Sequence, residues 1–179
     1  MISEPTTLGA AAATRCEIVA SYDYRDAAGA LLCQTLRYRA WSRRGWRRPD
    51  GNGGWVYNLK GVARVLYRLP ELLAADPAKW VFIVQRESDA DALATLGLVA
   101  TCNAARRAAE RAAARLAWAP LAGRRVAIIP QNNVKGWIWA DDTAERLAAT
   151  ASEIKLVSLP GRDMCVAGWL ARTRKETVT

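Results

Sequence analysis

The chain has 179 residues, of which 51% are hydrophobic and 24% charged, a composition typical of a folded globular domain rather than a disordered one. Its 26 Lys and Arg residues exceed its 17 Asp and Glu residues, and the net charge of +9 favours a polyanionic partner, usually nucleic acid. The chain has no histidine, which removes the commonest general base and every catalytic scheme that pairs Ser or Cys with His.

The first segment, residues 1–14, is rich in Ala and Thr and lacks a basic start, so we expect a flexible leader and no secretory signal. No apolar run is long enough for a transmembrane helix. We therefore expect a cytoplasmic protein with no membrane partner. Residues 173–179 are expected to form a flexible tail.

The cysteines are scattered and form no CxxC pair, so a zinc site is not expected. They are better explained as small apolar residues of a protein in a reducing compartment. These residues are Cys16, Cys33, Cys102 and Cys165.

Residues 15–75 are predicted to form a small, basic, β-rich subdomain. Strands are predicted over Glu17–Tyr24 and Leu31–Arg39, joined as a hairpin by a polar turn. The elements predicted after the hairpin are a loop at Ala40–Gly54, a strand at Trp55–Leu59 and a short helix at Leu69–Leu73.

Residues 76–172 alternate between strand and helix, which indicates βαβ units and a mainly parallel sheet. Short apolar runs predict strands buried on both faces. The predicted strands are Trp80–Val84, Leu98–Cys102, Arg124–Ile129 and Glu153–Leu159. The predicted helices are Ser88–Leu96, Ala104–Trp118, Trp137–Thr150 and Ala167–Arg172.

Two of these predicted strands are followed by polar residues. Gln85-Arg86-Glu87-Ser88-Asp89 follows the first apolar run, and Pro130-Gln131-Asn132-Asn133 follows the third. In open α/β sheets, ligands bind at the carboxyl ends of the strands. These two segments are therefore the candidate functional site.

In order and spacing, the two segments resemble the signature motifs of the Toprim fold, which bacterial-type primases, topoisomerases and related nucleases share. The similarity is closest to primase-like proteins of phages and plasmids, and it covers roughly residues 17–170. Arg48–Trp55 and Val65–Leu72 resemble the segment that precedes the Toprim domain in those proteins. The resemblance implies an α/β fold with a Toprim-like, mainly parallel sheet flanked by helices, preceded by a small β-rich subdomain.

The chain departs from this family at the positions that carry its chemistry. The resemblance implies a glutamate where this chain has Gln85, and two aspartates where it has Gln131 and Asn133. Carboxylates hold Mg²⁺, and an uncharged amide removes the electrostatic reason for the metal to stay. We therefore expect a degenerate Toprim domain with no metal ion, no cofactor and no catalytic residues.

Positive charge near the altered positions leaves two interpretations open. Arg86 replaces the usual glycine of the motif, and Lys135 follows the second motif. Amide N–H groups donate hydrogen bonds, so the pocket either binds a phosphate or has drifted after activity was lost. Glu87 and Asp89 also leave open a rearranged metal site, although acids at the start of a helix are usually explained by its dipole.

The segment Arg37–Arg48 combines arginines with aromatic residues and contains no acid. Arginine grips phosphates, and aromatic rings stack on unpaired bases, so the segment is a candidate single-strand-binding surface. The alternative is a solvated loop whose tryptophans pack on the hairpin. The predicted nucleic-acid-binding residues are Arg37, Arg39, Trp41, Arg43, Arg44, Trp46, Arg47, Arg48, Arg86 and Lys135.

The sequence thus predicts a non-catalytic, primase-related nucleic-acid-binding protein of a mobile element or phage, with single-stranded DNA as its partner and a replication protein as a further candidate partner. One alternative is a protein-interaction module, or a decoy that inhibits an active enzyme, which exposed Trp137 and Trp139 would favour. The other alternative is a residual Mg²⁺-dependent primase- or nuclease-type enzyme.

Overall fold

The computed structural model describes residues 17–39, 44–103 and 118–176. These residues fall into two compact units, one of residues 17–24 and 31–62 and the other of residues 25–30 and 63–176. In the described part of the chain, no helix is long and apolar enough to cross a membrane. The features that lie outside the described residues are the predicted leader, Cys16, Trp41, Arg43, the body of the helix predicted at Ala104–Trp118, and residues 177–179.

The first unit is built on an antiparallel sheet whose strands follow one another in the order β1-β2-β3-β4. The predicted hairpin is confirmed. Its polar turn is held by the Asp26 carboxylate, which accepts hydrogen bonds from the backbone N–H groups of Ala28 and Ala30. The strands are β1 (Ile18–Arg25), β2 (Leu31–Tyr38), β3 (Arg44–Pro49) and β4 (Trp55–Val56).

The loop predicted at Ala40–Gly54 is wrong for residues 44–49, which form β3. This strand pairs antiparallel with β2, so that Gln34 lies opposite Arg47 and Arg37 lies opposite Arg44. An arginine-rich run has no alternation of apolar and polar residues to signal a strand, and the pairing with β2 determines its conformation. Residues 44–48 of the segment predicted to bind nucleic acid therefore belong to β3, and Arg37 and Tyr38 belong to β2.

The second unit contains a four-stranded parallel sheet in the order β6-β5-β7-β8. The predicted α/β class with a helix-flanked parallel sheet is confirmed. The strands are β5 (Val81–Val84), β6 (Val99–Cys102), β7 (Arg125–Ile129) and β8 (Glu153–Leu156). The helices are α1 (Leu69–Ala74), α2 (Glu87–Ala94), α3 (Val134–Leu147) and α4 (Val166–Glu176), the last of which extends into the segment predicted as a flexible tail.

The core of the second unit lies around the two central strands. Val81 and Ile83 of β5 and Val126 and Ile128 of β7 are fully buried, as their uninterrupted apolar runs predict. Segment 63–75 adds three buried leucines to the same core, and for this reason the units divide after Val62, earlier than the sequence-based boundary after residue 75. Those leucines are Leu66, Leu69 and Leu72.

Among the described cysteines, Cys33 and Cys102 are buried, as expected of small apolar residues, whereas Cys165 is partly exposed. All three are free thiols.

Candidate functional site

The ends of the two central parallel strands bring Gln85 and Gln131 together. Val84 of β5 pairs with Ile129 of β7, so the residues that follow both strands lie at the same edge of the sheet. Oε1 of Gln85 accepts a hydrogen bond of 2.8 Å from the backbone N–H of Gln131. Nη2 of Arg86 donates a hydrogen bond of 2.9 Å to Oε1 of Gln131. The Gln85 side chain therefore contacts the Gln131 backbone, and the Gln131 side chain contacts a guanidinium group.

The third amide joins this group through an aspartate that the sequence analysis did not assign to the site. Oδ1 of Asn133 accepts from the backbone N–H of Gly136 at 2.9 Å and so caps the start of α3. Nδ2 of Asn133 donates to Oδ1 of Asp163 at 2.9 Å. Nε2 of Gln131 donates to the backbone carbonyl of the same Asp163 at 3.1 Å. Asp163 is thus held by two of the three amides.

The backbone around these residues is tied together as well. The N–H of Asn132 donates to the carbonyl of Met164, and the N–H of Asp163 donates to the carbonyl of Asn132, both at 2.9 Å. Nδ2 of Asn132 donates to the carbonyls of Leu159 and Gly161, again at 2.9 Å. Segment 159–164 is therefore fastened to the end of β7 by its own hydrogen bonds.

The acids near the first motif are occupied by structural contacts. Glu87 and Asp89 are 1% and 3% exposed, and Oδ1 of Asp89 accepts from the backbone N–H of Ala167 in the first turn of α4. Within residues 17–39, 44–103 and 118–176, no group of three or more Cys, Asp and Glu side chains is arranged to hold a metal ion. At the strand ends, the amides of Gln85 and Gln131 carry no charge and Arg86 adds a positive one, so these residues do not fit the magnesium site that the Toprim resemblance implies.

A second polar cluster, around Asp91 of α2, was missed by the sequence analysis. The Tyr67 hydroxyl donates to both carboxylate oxygens of Asp91, at 3.0 and 3.1 Å, and Arg68 pairs with the same carboxylate at 3.2 Å. Burial and the adjacent Asp91 charge both raise the pKa of the Tyr67 phenol above its ordinary value. Arg68 has the left-handed backbone angle φ of 58°, which is uncommon for a residue other than glycine. This cluster fixes the entry to α1.

In the first unit, the β2–β3 hairpin places two predicted nucleic-acid-binding arginines side by side. Arg37 of β2 lies directly opposite Arg44 of β3. The next residue on the same face of β3 is Trp46, whose ring lies 5.9 Å from that of Tyr24 in a tilted arrangement. Arg37 is exposed, whereas Arg44 and Trp46 are half-buried. The hairpin thus presents two neighbouring cations beside an indole ring.

Other predicted arginines of this segment have partners within the protein. Nε and Nη2 of Arg39 donate to the two carboxylate oxygens of Glu17, at 2.6 and 2.8 Å. The Arg47 guanidinium lies 3.9 Å from the centre of the Trp55 ring, and its Nε donates to Gln34 at 2.6 Å. Arg48 makes a longer hydrogen bond of 3.4 Å to Asn58. Arg37 is exposed, and it is therefore better placed for a phosphate than Arg39 or Arg47.

The tryptophans after the second motif pack inward. Trp137 and Trp139 are half-buried against the core of the second unit, and Nε1 of Trp137 donates to Oδ1 of Asn132 at 3.2 Å. The exposed apolar side chains of α3 are instead Val134 and Ile138, at 76% and 64% exposure. Their spacing of four residues puts them on one face of the helix, a signal that the sequence analysis did not use. Lys135 is exposed in the same first turn.

Comparison with known proteins shows the fold. No family model matches the chain. No curated protein matches it either. A structure of primase domains of bacteriophage T7 bound to an RNA/DNA hybrid is similar with a TM-score of 0.60 and 14% identity, over 88% of this chain and 74% of that chain.

Bacterial primases are similar to the same degree. The DnaG primase catalytic domain bound to single-stranded DNA matches with a TM-score of 0.57 and 17% identity, over 87% of this chain and 48% of that chain. A DNA primase domain from Pseudomonas aeruginosa matches with a TM-score of 0.60 and 14% identity, over 89% of this chain and 50% of that chain. The chain therefore has a primase-like Toprim fold and spans about half the length of these bacterial proteins.

Proposed function

We propose that this chain is a non-catalytic, primase-related protein of a phage or mobile element that binds single-stranded DNA in the cytoplasm. The observation that carries the proposal is the direct opposition of Arg37 and Arg44 across the β2–β3 hairpin.

A phosphate between Arg37 and Arg44 would gain charge-assisted hydrogen bonds from both guanidinium groups. Trp46 lies on the same face, where its indole ring could stack on the neighbouring base. Such stacking contributes on the order of 1–3 kcal/mol per base. Because phosphates and base faces recur along any strand, the surface suits binding without sequence preference.

Three further observations support a nucleic-acid partner. The net charge is +9. One structural neighbour was solved bound to single-stranded DNA and another to an RNA/DNA hybrid. At the strand ends of the second unit, Arg86 is held in place by Gln131, and we propose Arg86 and the exposed Lys135 as additional phosphate contacts.

The proposed lack of catalysis rests on charge. Phosphoryl transfer of the two-metal kind needs several carboxylates that face the same ions. At the strand ends, Gln85, Gln131 and Asn133 are uncharged, and Arg86 adds a positive charge that repels a divalent cation. Glu87 and Asp89 are buried and contribute to packing and to the start of α4.

A second candidate function is a protein-interaction module, and exposed Val134 and Ile138 at the start of α3 favour it. An apolar pair beside the strand ends could contact an active primase and act as a decoy. The test is a pull-down with a purified primase. Loss of capture on Ile138→Asp, with unchanged DNA binding, would support this candidate.

The experiment for the main proposal is a salt-dependent titration with a fluorescein-labelled single-stranded oligonucleotide, followed by anisotropy. We expect saturable binding that weakens roughly 50-fold between about 50 and about 200 mM NaCl, because each of the four proposed phosphate contacts releases about 0.7 of a counterion from a single strand. A duplex of the same sequence is the control, and we expect it to bind more weakly. Absence of binding at the lower salt concentration would overturn the proposal.

A further inference from the structure

We infer that the amides of Gln131 and Asn133 form a metal-free latch that holds segment 159–164 across the ends of the central strands. The inference does not depend on nucleic-acid binding. It concerns what the altered positions do in this chain, where the magnesium site implied by the fold does not fit.

The side chains of Asn133 and Gln131 act as hydrogen-bond donors to Asp163. Nδ2 of Asn133 donates to a carboxylate oxygen of Asp163, and Nε2 of Gln131 donates to the Asp163 carbonyl. An ionised Asp or Glu only accepts hydrogen bonds. An ionised acid at either position would therefore place one of its own oxygens at hydrogen-bonding distance from an Asp163 oxygen, with no hydrogen between the two. Both contacts require an amide.

Gln85 stands in contrast to these two residues. Oε1 of Gln85 accepts a hydrogen bond from the backbone N–H of Gln131. A glutamate would accept the same bond, so this contact does not require an amide. The three altered positions therefore differ in a testable way, because donors are needed at 131 and 133 but not at 85.

The latch holds segment 159–164, which includes Asp163. Asp163 has the left-handed backbone angle φ of 55°, which costs energy in any residue with a side chain. Asn132 adds three hydrogen bonds to Leu159, Gly161 and Met164. Helix α4 begins directly after this segment, and its Ala167 N–H is bound by Asp89 of α2.

Hydrogen bonds thus join the end of β7 to segment 159–164, the backbone continues from this segment into the first turn of α4, and a further hydrogen bond joins that turn to α2. The side-chain amides of Gln131 and Asn133 thus hold segment 159–164 at the ends of the central strands. Two amide donors meet two of the three Asp163 oxygens, the carbonyl oxygen and Oδ1, where a metal ion would otherwise be expected to organise the strand ends.

The test exchanges the two partners of one hydrogen bond. Asn133→Asp keeps the capping oxygen for Gly136 but removes the donor and sets two carboxylates against each other. We expect its Tm, measured with EDTA present, to fall by about 2–6 °C. The double variant Asn133→Asp/Asp163→Asn reverses donor and acceptor, and we expect it to regain at least about half of that loss.

Gln85→Glu is the matched control, and we expect its Tm to stay within about 1 °C of the parent protein, since the accepted bond is kept. An unchanged Tm in Asn133→Asp would overturn the inference, and so would a double variant no more stable than Asn133→Asp.

If Asn133→Asp does not fold, hydrogen exchange of the parent protein decides. Slow exchange of the Asn132 and Asp163 amides supports the latch, and rapid exchange of both overturns it. None of these measurements involves DNA, so they succeed or fail independently of the proposed function.

Discussion

Arg86 donates a 2.9 Å hydrogen bond from Nη2 to Oε1 of Gln131, linking the residues that follow two neighbouring parallel strands. A guanidinium group therefore sits where a Toprim enzyme would be expected to gather negative charge. This relationship leads to the first prediction.

We expect calorimetric titration of the protein with Mg²⁺ or Mn²⁺ to give no saturable heat at millimolar concentrations, because amides do not offset the cost of dehydrating a hard cation. The comparison is the variant Gln85→Glu/Arg86→Gly/Gln131→Asp/Asn133→Asp, which restores the acids and removes the cation. We expect this variant to bind the metal and to gain stability on binding. Saturable binding by the unaltered protein would contradict the prediction.

We expect Arg37→Ala/Arg44→Ala to weaken single-stranded DNA binding about 10-fold or more. The slope of log K against log salt concentration should fall in magnitude by about 1 to 2, because binding with fewer phosphate contacts releases fewer counterions. The variant should fold, since Arg37 is exposed and Arg44 is only half-buried. Anisotropy titrations at several salt concentrations provide the measurement.

The control for this pair is Arg172→Ala/Arg174→Ala, which removes the same charge from exposed positions on α4. Equal weakening by the two double variants would mean that only net charge matters, and the hairpin would then lose its assigned role.

The Tyr67–Asp91 contact predicts a dependence of stability on alkaline pH. The pKa of Tyr67 is raised in the folded protein by burial and by the Asp91 charge, so its stabilisation is fully present below the ordinary tyrosine pKa of about 10. As the pH rises above that value, the unfolded state loses its proton first and the stabilisation falls.

We therefore expect Tyr67→Phe to be less stable than the parent protein at neutral pH by about 1–2 kcal/mol, the loss of a hydrogen bond to a charged group. The difference should shrink above pH of about 10. Tyr57→Phe, at a 65% exposed position, is the control and should show no such trend. Urea denaturation at a series of pH values measures both, and a constant difference would rule out the assignment.

Gly136 tests the close approach of α3 to the second motif. A Cβ atom on Gly136 would clash with the backbone carbonyl of Gln131, which cannot move without disturbing the strand end. We expect Gly136→Ala to cost about 3 kcal/mol or more, at or above the upper end of overpacking effects.

Gly168→Ala is the comparison, because its Cβ would meet only ordinary contacts, the nearest at 3.4 Å from the Cys165 sulfur. Within a helix this change should be neutral or stabilising by up to about 1 kcal/mol. Chemical denaturation of both variants provides the measurement, and similar stabilities would show that the approach of α3 is looser than described.

The sequence predicted the parallel sheet well because its signal is local. Val81–Val84 and Arg125–Ile129 are short apolar runs, and a strand buried on both faces needs little else. The start of α3 was placed too late, at Trp137, because Asn133 had been considered as an altered metal ligand and not as the cap that begins the helix at Val134.

The strand β3 and the partners of the arginines could not be predicted in the same way. Arg44–Pro49 has no local signal for a strand and takes its conformation from pairing with β2. Arg39 and Glu17 are far apart in the sequence, and only that sheet brings them into contact. The sequence identified a set of basic and aromatic residues, and the structure showed that Arg39 and Arg47 have partners within the protein.

The sequence by itself determined that Gln85, Gln131 and Asn133 carry no charge and that two of the strands that precede them are buried, because residue type and apolar runs are local properties. Only the tertiary structure decided which groups those amides face. Asp163 lies in a loop distant in the sequence, and its position depends on hydrogen bonds that form when segment 159–164 folds against the end of β7. Residue type shows that these three side chains are uncharged, but the direction of their hydrogen bonds depends on where distant residues meet.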